Sequence, residues 1–212
     1  QGDYLIVAGD VSDDLELSID YLKTLRHKYS QILYVDGNHE HVNRYPNLYS
    51  KNYINSKFEK IDKISYLPGN PFIKDDTVII GCCGWWDYED DINNMSEHYF
   101  DIWIPSFSKD DNLAFKENVK NQAERDFNYL KENIEKYQND DSISTIIVVT
   151  HTLPLSIFCD EHDEKSTTLN SKFKMLLCYN KIKKWIFGHT HSEYFKKYNN
   201  VQFICNPLGR PE

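Results

Sequence analysis

Four short signatures carry residue types that could do chemistry together: Gly9-Asp10-x-x-Asp13, Gly37-Asn38-His39-Glu40, Thr150-His151 and Gly188-His189-Thr190-His191. Each alone is weak, because asparagine in a turn is ordinary turn chemistry and a lone histidine after a strand is more often structural than reactive. Taken together they offer a carboxylate, an amide oxygen and several imidazoles, a donor set that suits divalent cations without accumulating excess negative charge. A carboxylate has two oxygens, so Asp10 could bridge two cations. Two cations about 3.5–4 Å apart can bind a phosphoryl oxygen, acidify a water between them and stabilise both the attacking and the leaving oxygen. Such a centre needs no serine or cysteine nucleophile.

Each signature ends an apolar run. Tyr4-Leu5-Ile6-Val7-Ala8 has no polar alternation and stops at Gly9, and Ile32-Leu33-Tyr34-Val35 stops at Asp36-Gly37. Ile143–Val149 delivers Thr150-His151, and Lys184–Phe187 delivers Gly188-His189. Runs of this kind read as parallel strands covered on both faces. Ligand chemistry in open α/β sheets collects beyond the carboxyl ends of the strands, so the expectation is one parallel sheet with all four signatures on one edge.

Between these runs the chain supplies helices. Leu15, Ile19, Leu22 and Tyr29 fall at helical spacing, with Ser12 or Asp13 as the expected cap. The clearest helix carries Ala123, Phe127, Leu130, Ile134 and Tyr137 and ends at Asn139-Asp140-Asp141. A weaker one is expected around 169–178. A short strand is expected at Ile64–Leu67 before the turn Pro68-Gly69-Asn70-Pro71, another at Thr77–Gly81, and a closing hairpin of Tyr194–Tyr198 and Val201–Cys205 about Asn199-Asn200. The acidic, aromatic stretch 87–111 is too long for a simple connection and reads as a functional insertion.

Composition sets the class. A chain of 212 residues reads as one domain, 1–212. A net charge of −9 disfavours nucleic acid as partner. No run of eighteen apolar residues occurs, so no membrane span is expected. Five cysteines without a CxxC pair suit free thiols in the cytoplasm. Cys82 and Cys83 read as small buried hydrophobes; Trp85, Trp86 and Tyr88 read as core, with stacking on a nucleoside or capping of the site as the alternative. His27, His98 and His162 read as surface histidines, and His41, beside GNHE, as an exposed loop histidine with a pocket-lining place as the alternative.

The combined GDxxD, GNHE and GHTH pattern resembles the calcineurin-like metallophosphoesterases, in particular small bacterial-type members that end in Cys-Asn-Pro-x-Gly, here Cys205-Asn206-Pro207-Leu208-Gly209. The resemblance implies a four-layer α/β/β/α sandwich of two mixed sheets and hydrolysis of a phosphomonoester or phosphodiester at two divalent metals, with Mn, Fe, Zn or Ni suitable. It implies that Asp10 bridges the metals, that Asn38, His151 and His189 complete one metal, and that His191 binds the other. His39 would contact the phosphate and protonate the leaving oxygen, while Asp13 and Glu40 orient ligands or brace loops. The partner implied is a small phosphorylated substrate.

One departure is large. The family's first motif, Asp-x-His on a strand before GDxxD, has no counterpart in residues 1–9, where Asp3 is followed by Tyr4-Leu5. The expectation is a first strand missing from this chain, truncation at the N-terminus and at the C-terminus, and a first metal site left with Asp10 and His191. Thr152 and Leu208 also stand where relatives carry other residues. The same departure leaves open the alternative of a non-catalytic scaffold on a degenerate fold.

Overall fold

The computed structural model describes residues 2–89, 108–159 and 167–208. In chain order the elements are β1 (Tyr4–Ala8), α1 (Leu15–Leu25), β2 (Gln31–Val35), a 3-10 turn (His39–Arg44), α2 (Lys51–Phe58), β3 (Ile64–Tyr66), β4 (Phe72–Lys74) and β5 (Thr77–Cys82). Next come the long helix α3 (Lys109–Gln138), β6 (Thr145–Thr150), a 3-10 stretch (Ser171–Cys178), β7 (Ile182–Ile186), β8 (Tyr194–Tyr198) and β9 (Val201–Cys205).

The strands form two sheets, as the resemblance implies, and not the one parallel sheet that the apolar runs alone suggest. The smaller has the order β1-β2-β3 and is parallel throughout. The larger runs β4-β5-β6-β7-β9-β8, with β4 and β8 antiparallel to their neighbours and the rest parallel. The period-2 geometry of each central strand explains the layering. On β2, Ile32 and Tyr34 pack with Leu15, Ile19 and Leu22 of α1 and Ile54 and Phe58 of α2. On β6, Ile146 and Val148 pack with Phe127, Leu130 and Ile134 of α3. The alternate residues, Leu33 and Val35 of β2 and Ile147 and Val149 of β6, meet Ile79 and Leu67 in a cluster of their own between the sheets. Helices thus lie outside and two sheets face each other within.

α3 carries the apolar stripe expected of it and extends it upward through Phe115 and Val119. It opens on a reciprocal cap in which Asp111 N donates to Ser108 Oγ (3.1 Å) and Ser108 N to Asp111 Oδ2 (3.1 Å). α1 is capped by Asp14, whose Oδ1 accepts from Leu17 N at 3.0 Å, and not by Ser12 or Asp13. It ends at Leu25, so Tyr29 lies beyond it while still packing on its core. The stretch 171–178 is 3-10 rather than α. β1 is only half covered, with Tyr4 41% exposed, because among the described residues β2 is its one strand neighbour. No helix among the described residues is long and apolar enough to cross a membrane. The insertion expected at 87–111 lies largely outside the described residues, as do His98 and His162.

Candidate metal centre

The four signatures meet where the carboxyl ends of the two sheets come together. β1 and β2 bring Asp10 and Asn38 from the small sheet; β6 and β7 bring His151 and His189 from the large one. His151 Nδ1 lies 2.7 Å from Ala8 O at the end of β1, a hydrogen bond that ties one sheet to the other.

The glycines of the motifs are dictated by this approach. A Cβ at Gly37 would lie 2.2 Å from Asp10 Oδ1, and one at Gly188 would lie 2.7 Å from Ala8 O and 3.2 Å from His151 Nδ1. Only hydrogen fits at either place. Asp10 and His189 themselves sit in the left-handed region, at φ 54° and 64°. Such conformations are costly for residues with a Cβ and persist where surrounding contacts over-determine them.

At Asp10 those contacts come from Glu40, which is buried and accepts from five donors. Its Oε2 takes Asp10 N (3.0 Å) and Gly37 N (2.7 Å); its Oε1 takes Val11 N (2.7 Å), Ser12 N (3.4 Å) and Ser18 Oγ (2.9 Å). Glu40 therefore staples the loop after β1 to the loop after β2 and to α1. Burial pushes its carboxyl up, and the Asp10 charge adds to that.

His41 is a correction to the sequence reading, being 1% exposed rather than a surface histidine. Tyr49 N donates to its Nδ1 (3.0 Å), so Nε2–H donates to Asp36 Oδ2 (2.7 Å), and Tyr66 Oη–H donates to Asp36 Oδ1 (2.7 Å). This buried chain holds the 3-10 turn that presents Asn38 and His39. His27 is exposed, as expected.

The donor atoms converge closely. Asn38 Oδ1 lies 3.0 Å from His151 Nε2 and 3.0 Å from His189 Nδ1; these two nitrogens are 3.1 Å apart, and Asp10 Oδ2 is 3.1 Å from His151 Nε2. Asp10, His151 and His189 each offer an atom within 4.8 Å of the others. In the neutral ring His151 Nδ1 carries its proton toward Ala8 O, so Nε2 presents a lone pair. His189 makes a backbone hydrogen bond to Thr167, while burial and the His151 imidazole hold it down at about 3, so it stays neutral. With both rings neutral, the four atoms present lone pairs to one another. Burial would raise Asp10, but the imidazoles of His151, His39 and His189 outweigh it and its carboxyl falls below the usual range. Burial would lower His151, and Asp10 reverses that and draws it up. The centre asks for positive charge, and the oxygen and imidazole donors fit a divalent cation.

His39 stands beside this cluster. Its backbone N donates to Asp10 Oδ1 (3.0 Å), its Nδ1 meets Asp13 Oδ1 (2.5 Å), and its Nε2 is 3.8 Å from Asp10 Oδ2. His191 is exposed two residues beyond His189 and is not among the side chains gathered at the cluster.

The loop after β5 closes the opposite side. Asp126 Oδ2 accepts from Gly84 N (2.8 Å) and Trp85 N (3.3 Å), Asn170 Nδ2 donates to Trp85 O (3.1 Å), and Thr152 Oγ1 donates to Gly84 O. Asp87 Oδ2 accepts from Ser171 N (2.9 Å) and Ser171 Oγ (2.7 Å). Cys82, Cys83, Trp85, Trp86 and Tyr88 are buried, as expected of core residues.

Comparison with known proteins bears on the fold and the family. The chain is 25% identical over 234 residues to the uncharacterized protein L509 of Acanthamoeba polyphaga mimivirus, spanning 97% of this chain and 78% of that relative. The crystal structure of phosphopantetheinyl hydrolase from Mycobacterium tuberculosis shares the fold, with TM-score 0.67 at 18% identity over 95% of this chain and 77% of that one. The model of the calcineurin-like phosphoesterases matches residues 1–193. The chain belongs to the calcineurin-like phosphoesterase family and is a hydrolase of phosphate esters.

Proposed function

We propose that the chain hydrolyses a small phosphomonoester or phosphodiester with water activated at a centre of two divalent cations. The observation that carries this reading is the convergence of Asp10 Oδ2, Asn38 Oδ1, His151 Nε2 and His189 Nδ1, acceptors facing acceptors. These four would hold one cation, and Asp10 with His191 would contribute to the second. Cations there supply Lewis acidity, which polarises a phosphoryl oxygen and makes water acidic.

The remaining steps belong to the chain's own residues. Asp13 takes the Nδ1 side of the His39 ring, which leaves Nε2 on the side of Asp10. In that place a doubly protonated His39 gives its Nε2 proton to the departing oxygen and spares it from leaving as an alkoxide. Glu40 keeps Asp10 in its left-handed conformation, and His151 is locked in orientation by Ala8 O. Positioning of this kind fixes the geometry before substrate arrives.

The test combines elemental analysis with a screen of chromogenic mono- and diesters under different divalent cations. Wild type should retain bound cation and hydrolyse at least one ester class. Asp10→Ala should lose more than one equivalent of bound metal together with the activity. Two retained equivalents in that variant would overturn the bridging role, and a folded wild type that binds no divalent cation would overturn the reading.

A further inference from the structure

We propose that the indole N–H of Trp86 is a substrate donor that holds a phosphoryl oxygen at the metal centre; the identity of the ligand class rests on the phosphoesterase reading. Trp86 is 1% exposed, and its Nε1 has no hydrogen-bond partner. Buried indole N–H groups ordinarily find an acceptor, so one without any invites a specific cause.

The surroundings exclude local disorder as that cause. Backbone N and O of Gly84 and Trp85 are all partnered, through Asp126, Thr152 and Asn170, and the Asp87 carboxylate is held by Ser171. The loop is over-determined on both sides of Trp86, yet the indole N–H of that side chain has no acceptor. Trp185, another fully buried indole, behaves normally: its Nε1 donates to Thr150 Oγ1 at 2.9 Å.

The location points to the ligand. The Trp86 ring lies 5.8 Å from the His189 imidazole, centroid to centroid, at a tilt of 40°, with Trp85 at 5.0 Å and Tyr88 at 6.1 Å bracketing it. His189 Nδ1 belongs to the donor cluster, so the indole packs against one of the side chains on which a bound group would sit. Among the described residues no Lys or Arg makes an ion pair or hydrogen bond with Asp10, Asn38, His151 or His189. Besides His39, a phosphoryl oxygen there needs further protein donors, and an indole N–H is donor only.

The experiment is a titration of the 15N-labelled, zinc-loaded full chain with inorganic phosphate, read at the indole resonances, with the Trp86 signal assigned by its disappearance in Trp86→Phe. The Trp86 N–H should move downfield and become protected from solvent exchange as phosphate saturates, while the Trp185 signal stays. Trp86→Phe should keep its melting temperature within a few degrees and its zinc content, yet weaken phosphate as a competitive inhibitor roughly tenfold or more, the scale of a lost hydrogen bond to a charged group. Phosphate that inhibits while the Trp86 signal stands still would overturn the proposal and leave the phosphoesterase reading intact. A shifted Trp86 signal in a chain that hydrolyses no ester would sustain the anion site and refute the catalytic reading. Failure of phosphate to bind at all would overturn both.

Discussion

Replacing Glu40 by glutamine tests whether one buried carboxylate holds the site together. The side chain keeps its shape but can accept on only one of its two ends. If the amide oxygen faces Val11 N, Ser12 N and Ser18 Oγ, the amide NH2 confronts Asp10 N and Gly37 N; the reverse orientation strands the other three donors. At least two buried backbone donors are therefore left without an acceptor, at about 1–3 kcal/mol each. Removing a charge from a buried position offsets part of that cost, so a net loss of about 3 kcal/mol is expected. At roughly 2–4 °C per kcal/mol for a chain of this size, the melting temperature of metal-free Glu40→Gln should drop by about 6–12 °C. Circular dichroism melting reads this directly. Glu16→Gln is the control: Glu16 is 59% exposed in its ion pair with Lys57, and such surface pairs contribute about 0–1 kcal/mol. Bound cation should also fall in Glu40→Gln, because the freed Asp10 and Gly37 amides loosen both ligand loops. A melting temperature within about 2 °C of wild type would show that the stapled loops are held by something else.

Three further substitutions separate the parts of the centre. His39→Ala should keep its cations and lose about 10²–10⁴-fold on esters with alkyl leaving groups, but much less on nitrophenyl esters; equal losses on both would remove its role as acid. Gly37→Ala forces a Cβ to 2.2 Å from Asp10 Oδ1 and 2.6 Å from Asp10 N, so elemental analysis should find its cation content sharply reduced, and wild-type content would contradict the close approach. For Asp126, burial with the Asp36 charge raises the carboxyl from 3.8 to about 7, so the folded chain keeps a proton that the unfolded chain releases, and the stability this group contributes falls as pH rises from about 4 through 7. Asp126→Asn should gain on wild type across that window by up to about 1.4 kcal/mol per pH unit; urea unfolding that finds the same difference at pH 5 and pH 8 would refute it.

Much of the centre was legible because glycine-polar signatures follow apolar runs, and a strand that ends on Asp10 or His151 must put it at a sheet edge. The α3 stripe was legible for a similar reason, its period being set by one continuous core. The number of sheets was not legible in the hydrophobic pattern and came only with the motif resemblance. Runs such as Ile32–Val35 and Ile146–Val149 bury both faces whether the second cover is a helix or another sheet, and hydrophobicity alone does not distinguish the two. His41 was missed because its partners, Asp36 and the Tyr49 amide, are brought to it by a 3-10 turn with no readable period. The cap moved from Ser12 or Asp13 to Asp14 because all three side chains can accept from the first turn, and only the bend after Asp10 selects among them. Glu40 was expected to brace loops, but the five donors it serves come from segments whose approach no spacing encodes.

The donor set is divided between segments that are made at different times. β1, β2 and β3 with α1 and α2 occupy one continuous stretch, residues 4–66, whereas the sheet bearing His151 and His189 is completed by strands as late as Val201–Cys205. As the chain leaves the ribosome, its early portion carries Asp10 and Asn38 alone, a pair too sparse to retain a divalent ion. Capture of metal therefore waits until the two sheets dock, and ion uptake during refolding should lag behind formation of the first three strands. Once docked, an ion bound by these four residues would favour the assembled state over any in which the sheets have parted, a clasp across the seam between an early-made and a late-made half.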